Sequence, residues 1–241
     1  MRVIALAATS ALSLAENVDE KLWCSNHTFL PRGGFCPNAP YAGIDKSLAN
    51  SLATYFGRLR GAARQPTTTI GDFGAGGGWY SALFNSRTGL RSFPYDFSPP
   101  PGSAVAKFDL SRPLVGIAEF DYVLCLEVGE HVPAEFEAVL LDNLDHHARH
   151  GIVLSWAIPG QDGVGHVNTQ PNAYVINQML ARGWVELRRM TAELRERAHH
   201  RWFKKSIMVF ERVKQKRAAA DTHHAQETLG YQVKTTNELQ T

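Results

Sequence analysis

The sequence predicts an α/β fold, a seven-stranded and mostly parallel doubly wound sheet behind an N-terminal cover of helix and loop. Three observations carry this. From Thr67 onward, short strand-like runs alternate with segments of helical spacing, the pattern of a parallel sheet covered on both faces. A glycine cluster, Gly74, Gly76, Gly77 and Gly78, follows the first run directly and precedes a helical segment. Acidic residues recur at the ends of successive runs, at Asp72, Asp96 and Asp109.

With 241 residues, 44% of them hydrophobic, the chain can bury one full core with appendages. A formal charge of +2 is too mild to announce a nucleic acid or an anionic membrane as partner. No run approaches the roughly 20 apolar residues of a transmembrane segment.

Residues 1–15 carry Arg2, an apolar stretch from Val3 to Leu14, and Ser13-Leu14-Ala15 ahead of Glu16, the layout of a signal peptide. An N-terminal helix packed on the domain is the other reading, since Ala and Leu favour it too. The sequon Asn26-His27-Thr28, flanked by Cys24 and Cys36 at a spacing that could close a disulfide loop, favours the secretory pathway or an extracellular location over the cytoplasm. Residues 16–65 read as cover. A loop with Pro31, Gly33, Gly34, Pro37 and Pro40 leads into a helix over Ile44 to Leu59, whose apolar residues fall on one stripe.

Within residues 66–212 the expected strands are Thr67–Phe73, Leu90–Tyr95, Ala106–Phe108, Phe120–Leu126, Gly151–Ala157, Trp184–Leu187 and Ser206–Glu211. Helices are expected between them, most clearly over Trp79–Asn85, Pro133–Asp145 and Asn172–Arg182. The last strand follows closely on another and is expected antiparallel, at an edge. Cys125 sits in an apolar run and reads as a buried thiol. Residues 213–241 turn polar, with few large apolar side chains, and read as a disordered tail.

The segment Asp72-Phe73-Gly74-Ala75-Gly76-Gly77-Gly78 lets the backbone turn sharply and admit a ligand without a Cβ in the way. Counting from Gly74 and Gly76, the third position of a dinucleotide fingerprint is Trp79, too bulky for the close helix contact needed there, and no lysine follows to cradle a triphosphate. Asp72, at the strand end, could face a cationic amino-acid moiety. Asp96 could accept hydrogen bonds from both ribose hydroxyls, and Asp109-Leu110 could meet an adenine edge. The competing reading is that these acids cap turns, as Asp often does.

These residues, with Cys125-Leu126-Glu127-Val128-Gly129-Glu130-His131-Val132-Pro133, resemble the class I S-adenosylmethionine-dependent methyltransferases, most closely the ubiquinone-biosynthesis O-methyltransferase type. The resemblance spans about Pro66 to Arg182. It implies a Rossmann-like methyltransferase fold and S-adenosyl-L-methionine as cofactor, with Asp72, Gly74, Gly76, Asp96, Phe97, Asp109, Leu110 and Leu126 as cofactor residues.

Glu127, Glu130 and His131 form a Glu-x-x-Glu-His cluster, and positions three and four apart in one helical turn share a face. Two carboxylates and an imidazole suit a divalent cation, magnesium or manganese by the hard oxygens, with zinc left open by the imidazole. His166 offers a fourth donor. Similar motifs with a later histidine occur in the ubiquinone-type enzymes and in small-RNA 3′-terminal 2′-O-methyltransferases, where they accompany a metal. The plainer reading is that Glu130 and His131 cap the following helix. His131 and His166 are also the catalytic candidates, as ligands or as a general base.

His146, His147 and His150 are expected as structural residues at a helix end. Arg197, His199, His200, Arg201, Lys204 and Lys205 form a basic cluster around Trp202 and Phe203 that reads as a solvated edge or a phosphate contact. Together these readings point to methylation of a small-molecule hydroxyl, with RNA 2′-O-methylation and a non-catalytic binding protein of the same fold as alternatives.

Overall fold

The structure, a computed structural model, describes residues 44–63 and 66–213. The signal-like segment, the sequon at Asn26, the Cys24 and Cys36 pair and the polar tail beyond Val213 lie outside the described residues.

Helix α1 (Lys46–Ala63) places Leu48, Leu52 and Phe56 on one stripe with no exposure, each burial stabilising by about 2 kcal/mol. Asp45 caps it. One carboxylate oxygen accepts the Leu48 N–H at 2.9 Å, and the other takes the N–H groups of His199 and His200 at 2.6 and 2.7 Å.

The sheet then builds as β1 (Thr68–Phe73), α2 (Trp79–Asn85), β2 (Leu90–Asp96), β3 (Ala106–Lys107) and β4 (Phe120–Leu126). After two 3₁₀ turns, Gly129–His131 and Ala134–Phe136, come α3 (Glu137–His147), β5 (Ala148–Ser155), α4 (Asn172–Ala181), β6 (Trp184–Glu186), α5 (Arg188–Arg197), the short α6 (Phe203–Ser206) and β7 (Met208–Arg212). The strand order is β3-β2-β1-β4-β5-β7-β6, and all pairings are parallel except those of β7. One face of the sheet packs Leu140, Leu141 and Leu144 of α3 and Val175 and Met179 of α4; the other packs α1, Phe84 of α2 and Leu194 of α5. This is a doubly wound, seven-stranded sheet as expected, and its order reverses between β1 and β4, so a crevice opens at their carboxyl ends.

Three expectations change. The last strand is antiparallel but not at an edge: β7 inserts between β5 and β6, pairing Val153 with Val209 and Val185 with Glu211. Its apolar run, Met208, Val209 and Phe210, is fully buried, which an interior position allows and an edge does not. The fifth strand starts at Ala148, directly after α3, because Ala148 pairs with Phe120; His150 therefore lies in β5 rather than at a helix end. The strand expected from Ser206 starts at Met208, since residues 203–206 close a helical turn.

Cys125 is a fully buried free thiol. His146 and His147 occupy the last turn of α3, and His147 is buried against the Ala118 carbonyl oxygen, where burial lowers its pKa and favours the neutral ring. Among the described residues no helix is long and apolar enough to cross a membrane.

Candidate active site at the carboxyl ends of the strands

The glycine loop leaves β1 at the crevice. Gly74 has φ 79° and its N–H, with that of Ala75, donates to the Tyr95 carbonyl oxygen of β2, at 2.8 and 2.9 Å. A Cβ on Gly74 would lie 2.2 Å from Val128 Cγ2, so this turn must be glycine both for its backbone and for its neighbour. Gly76 differs. Its φ is 55°, and a Cβ there would meet nothing within 4 Å among the described residues, so bare backbone faces open space.

Asp96, at the end of β2, accepts the Gly76 N–H on Oδ2 at 2.8 Å and the Ser98 N–H on Oδ1 at 2.9 Å. It thereby ties the glycine loop to β2, and burial raises its pKa against those hydrogen bonds. Phe97 follows, half-buried, with the Lys107 ammonium 6.0 Å from its ring centre.

Asp72 points elsewhere than expected. It is 4% exposed, and Oδ2 accepts the Ser81 hydroxyl at 2.7 Å; that hydroxyl also meets the Ser92 hydroxyl at 2.7 Å. Its carboxyl is spent on holding the first turn of α2, and burial pushes its pKa up to about 7 despite the Ser81 hydrogen bond. Asp109 caps a turn, accepting the Ser111 N–H and hydroxyl at 2.9 and 2.6 Å and pairing with Arg112 at 3.2 Å. Leu110 is buried beside it, its carbonyl oxygen bonded by Asn143. Leu126 closes β4, half-buried and paired with Ser155.

Beyond β4 the chain bends at Glu127, which holds φ 55°, the one left-handed non-glycine among the described residues. This bend keeps Glu127 off the turn Gly129–His131, so the shared helical face expected of Glu127, Glu130 and His131 does not form. Instead Glu130, His131 and His166 converge, their ligand atoms all within 4.8 Å of one another. Glu127 sits beside them, its carboxyl next to that of Glu130, and accepts the Ser206 hydroxyl at 3.0 Å and the Gln161 amide at 2.6 Å.

Glu130 has no exposure, and no hydrogen bond of normal geometry reaches either carboxylate oxygen. Burial, with the negative Glu127 next to it, pushes its pKa well above the ordinary carboxylate range. His166 Nε2 stands 4.0 Å from Glu130 Oε1. Each imidazole turns Nδ1 to a backbone carbonyl oxygen, His131 to Gly165 at 3.0 Å and His166 to Gln161 at 2.9 Å. A ring that donates from Nδ1 presents Nε2 as its lone-pair nitrogen, the orientation found in metal-ligating histidines. Burial lowers the pKa of His131 to about 4, so it is neutral at physiological pH.

Sequence reasoning missed the residues that hold these groups in place: Ser81, Gln161, Ser206, and the pair Glu137 and Asn168. Only Asn168, two positions after His166, carried any local hint.

No protein-family model matches the chain, and no curated protein matches it. Solved structures do. The 1,6-didemethyltoxoflavin-N1-methyltransferase of Burkholderia thailandensis, solved with 1,6-didemethyltoxoflavin and S-adenosylhomocysteine, is 15% identical over 87% of this chain and 94% of its own, with a TM-score of 0.53. The sugar N-methyltransferase KedS8 of Streptoalloteichus sp is 15% identical over 88% of this chain and 100% of its own, also at 0.53. The chain therefore shares the Rossmann-like fold of these two methyltransferases.

Proposed function

We propose that this chain is an S-adenosylmethionine-dependent O-methyltransferase that acts on a small-molecule hydroxyl with the help of a divalent cation. The carrying observation is Glu130, a wholly buried carboxyl whose oxygens meet no hydrogen bond of normal geometry, set against His131 and His166. A buried carboxylate costs several kcal/mol unless it is paired, and without a cation Glu130 avoids that cost by holding its proton. A cation held by Glu130, His131 and His166 offsets that cost, and Glu127 adds negative charge beside it. One carboxylate and two imidazoles suit manganese or zinc, with magnesium the less favoured of the three.

The cofactor reading rests on the crevice. Gly74 and Gly76 turn the backbone away from it, Asp96 has carboxylate lone pairs left for ribose hydroxyls, and Leu126 with Phe97 gives apolar surface. Asp72 holds the first turn of α2 and Asp109 the turn after β3. Of the two solved neighbours, both N-methyltransferases, the one from Burkholderia thailandensis holds S-adenosylhomocysteine, which supports the same cofactor.

When bound, S-adenosylmethionine supplies a sulfonium methyl group for in-line displacement, and a divalent cation lowers the pKa of an acceptor hydroxyl. The chain's own task is alignment and proton handling. Asp96 fixes the loop geometry, His131, neutral at pH 7, offers its Nε2 lone pair to the cation, and Gln161 and Ser206 orient Glu127.

Titration calorimetry with S-adenosylhomocysteine, and methyl transfer to a panel of catechols and sugars with and without chelator, test this. Cofactor binding and chelator-sensitive transfer that His131→Ala abolishes are expected. No cofactor binding, or transfer indifferent to both chelator and H131A, sinks the reading.

A second acceptor class, the ribose 2′-hydroxyl of RNA, draws on Arg197, Arg201, Lys204 and Lys205, all exposed on the connection that ends at Ser206. RNA binding that weakens steeply with salt would favour it over a small molecule.

A further inference from the structure

Asn168 lies two residues beyond His166 and is fully engaged. It is 5% exposed, and each of its polar groups has a partner. Its N–H donates to the Glu130 carbonyl oxygen at 3.0 Å, and its own carbonyl oxygen accepts the Trp156 indole N–H at 2.6 Å. Its side-chain oxygen accepts the Gln170 amide at 2.8 Å, and its side-chain nitrogen donates to Glu137 Oε2 at 2.9 Å. The Val167 N–H joins it on the Glu130 carbonyl oxygen, at 2.8 Å. The segment immediately after His166 is thus bonded straight to the backbone of Glu130.

Glu137 is the outer anchor. It is the first residue of α3, 6% exposed, and no lysine, arginine or histidine pairs with it among the described residues. Its other oxygen, Oε1, accepts the Tyr174 hydroxyl of α4. The N-terminus of α3 favours its negative charge, and both hydrogen bonds are strengthened by that charge. A buried acid that neither meets solvent nor balances a cation needs another reason to be here. Joining the start of α3, the start of α4 and the His166 loop supplies one.

We propose that Glu137 is a positioning residue, holding the His166 loop through Asn168 so that His166 meets Glu130 and His131. This rests on the metal-site reading above. Without the Glu137 carboxylate, the Asn168 side chain loses its acceptor in a buried place, and the loop is free to draw His166 away from the cluster.

The test is titration of the metal-free full chain with Mn²⁺ and with Zn²⁺, comparing wild type with Glu137→Ala, Glu137→Gln, His166→Ala and Thr191→Ala. Thr191 accepts the Val209 N–H far along the chain and serves as a control for general destabilisation. E137A is expected to weaken metal binding about tenfold or more, as loss of a residue that orients a ligand does. E137Q, which can still accept from Asn168 while donating to the Tyr174 oxygen, is expected to restore it. T191A should lower the melting temperature and leave metal affinity unchanged. If E137A does not fold, Tyr174→Phe removes one of the two anchoring bonds and is read the same way. Wild-type metal affinity in E137A, or in Y174F if it takes that place, while H166A loses binding, overturns the positioning role alone. Equal affinity in wild type and H166A overturns the metal site itself.

Discussion

The rings of His131 and His166 stand 5.1 Å apart at an interplanar angle of 67°, and each is oriented through Nδ1 by a backbone carbonyl oxygen of the loop after β5. Groups that share one ion act as a unit, so their removal is not additive. His131→Ala and His166→Ala should each depress methyl transfer strongly, and the double variant should be little worse than either. S-adenosylhomocysteine affinity should stay near wild type in all three. Fully additive losses in a double-mutant cycle would separate the two histidines functionally.

Gly163 is a sensitive neighbour of this pair. A Cβ placed on it would lie 2.0 Å from His166 Nε2, so the imidazole would have to move. Gly163 is exposed and its φ is not left-handed, so the fold has little to lose. Gly163→Ala should therefore weaken metal binding by about tenfold with a nearly unchanged melting temperature. A normal metal titration in G163A would show that His166 is not held where the structure has it.

Gly74 and Gly76 of the loop should respond differently. Both carry positive φ, at about 1–2 kcal/mol of strain for alanine. Only Gly74 also meets a wall, Val128, whose displacement adds about 1–3 kcal/mol. Gly74→Ala should be clearly destabilised in urea. Gly76→Ala should stay folded yet bind S-adenosylhomocysteine poorly, because its Cβ enters the open crevice. The reverse ranking in urea would contradict this packing.

Asp72 predicts a pH dependence. Burial raises its pKa from 3.8 in the unfolded chain to about 7 in the folded one, so the folded chain holds the proton more tightly. Its contribution to stability is complete below about pH 4 and is lost as the pH rises through 7, by about 4 kcal/mol at the upper limit. Asp72→Asn can still accept from Ser81 and does not ionise. Its stability relative to wild type should rise between pH 5 and pH 8, read from denaturation midpoints. A difference that does not change with pH would mean that Asp72 titrates normally.

Much of this was written locally. Phe120–Leu126 and Trp79–Asn85 have the bounds their periodicity implies, and Gly74 and Gly76 turn where a strand must hand over to a helix. The acids at the strand ends were visible as well, but not their duties: Asp72 and Asp109 hold backbone and hydroxyl groups of their own neighbourhood, as short polar side chains readily do. Glu127 does not share a helical face with Glu130 and His131, because its left-handed backbone breaks the helical spacing; it reaches Glu130 from the bend instead.

The sequence by itself determined the kind of sheet, the place of the glycine loop and the residue types available at the crevice, because periodicity and glycine freedom act over a few neighbouring residues. Only the tertiary structure decided that β7 slips between β5 and β6, that Ser206 and Gln161 reach Glu127, and that Glu137 reaches Asn168 from 31 positions away. Those pairings depend on strand register and on which buried polar groups remain to be satisfied once distant segments have packed together.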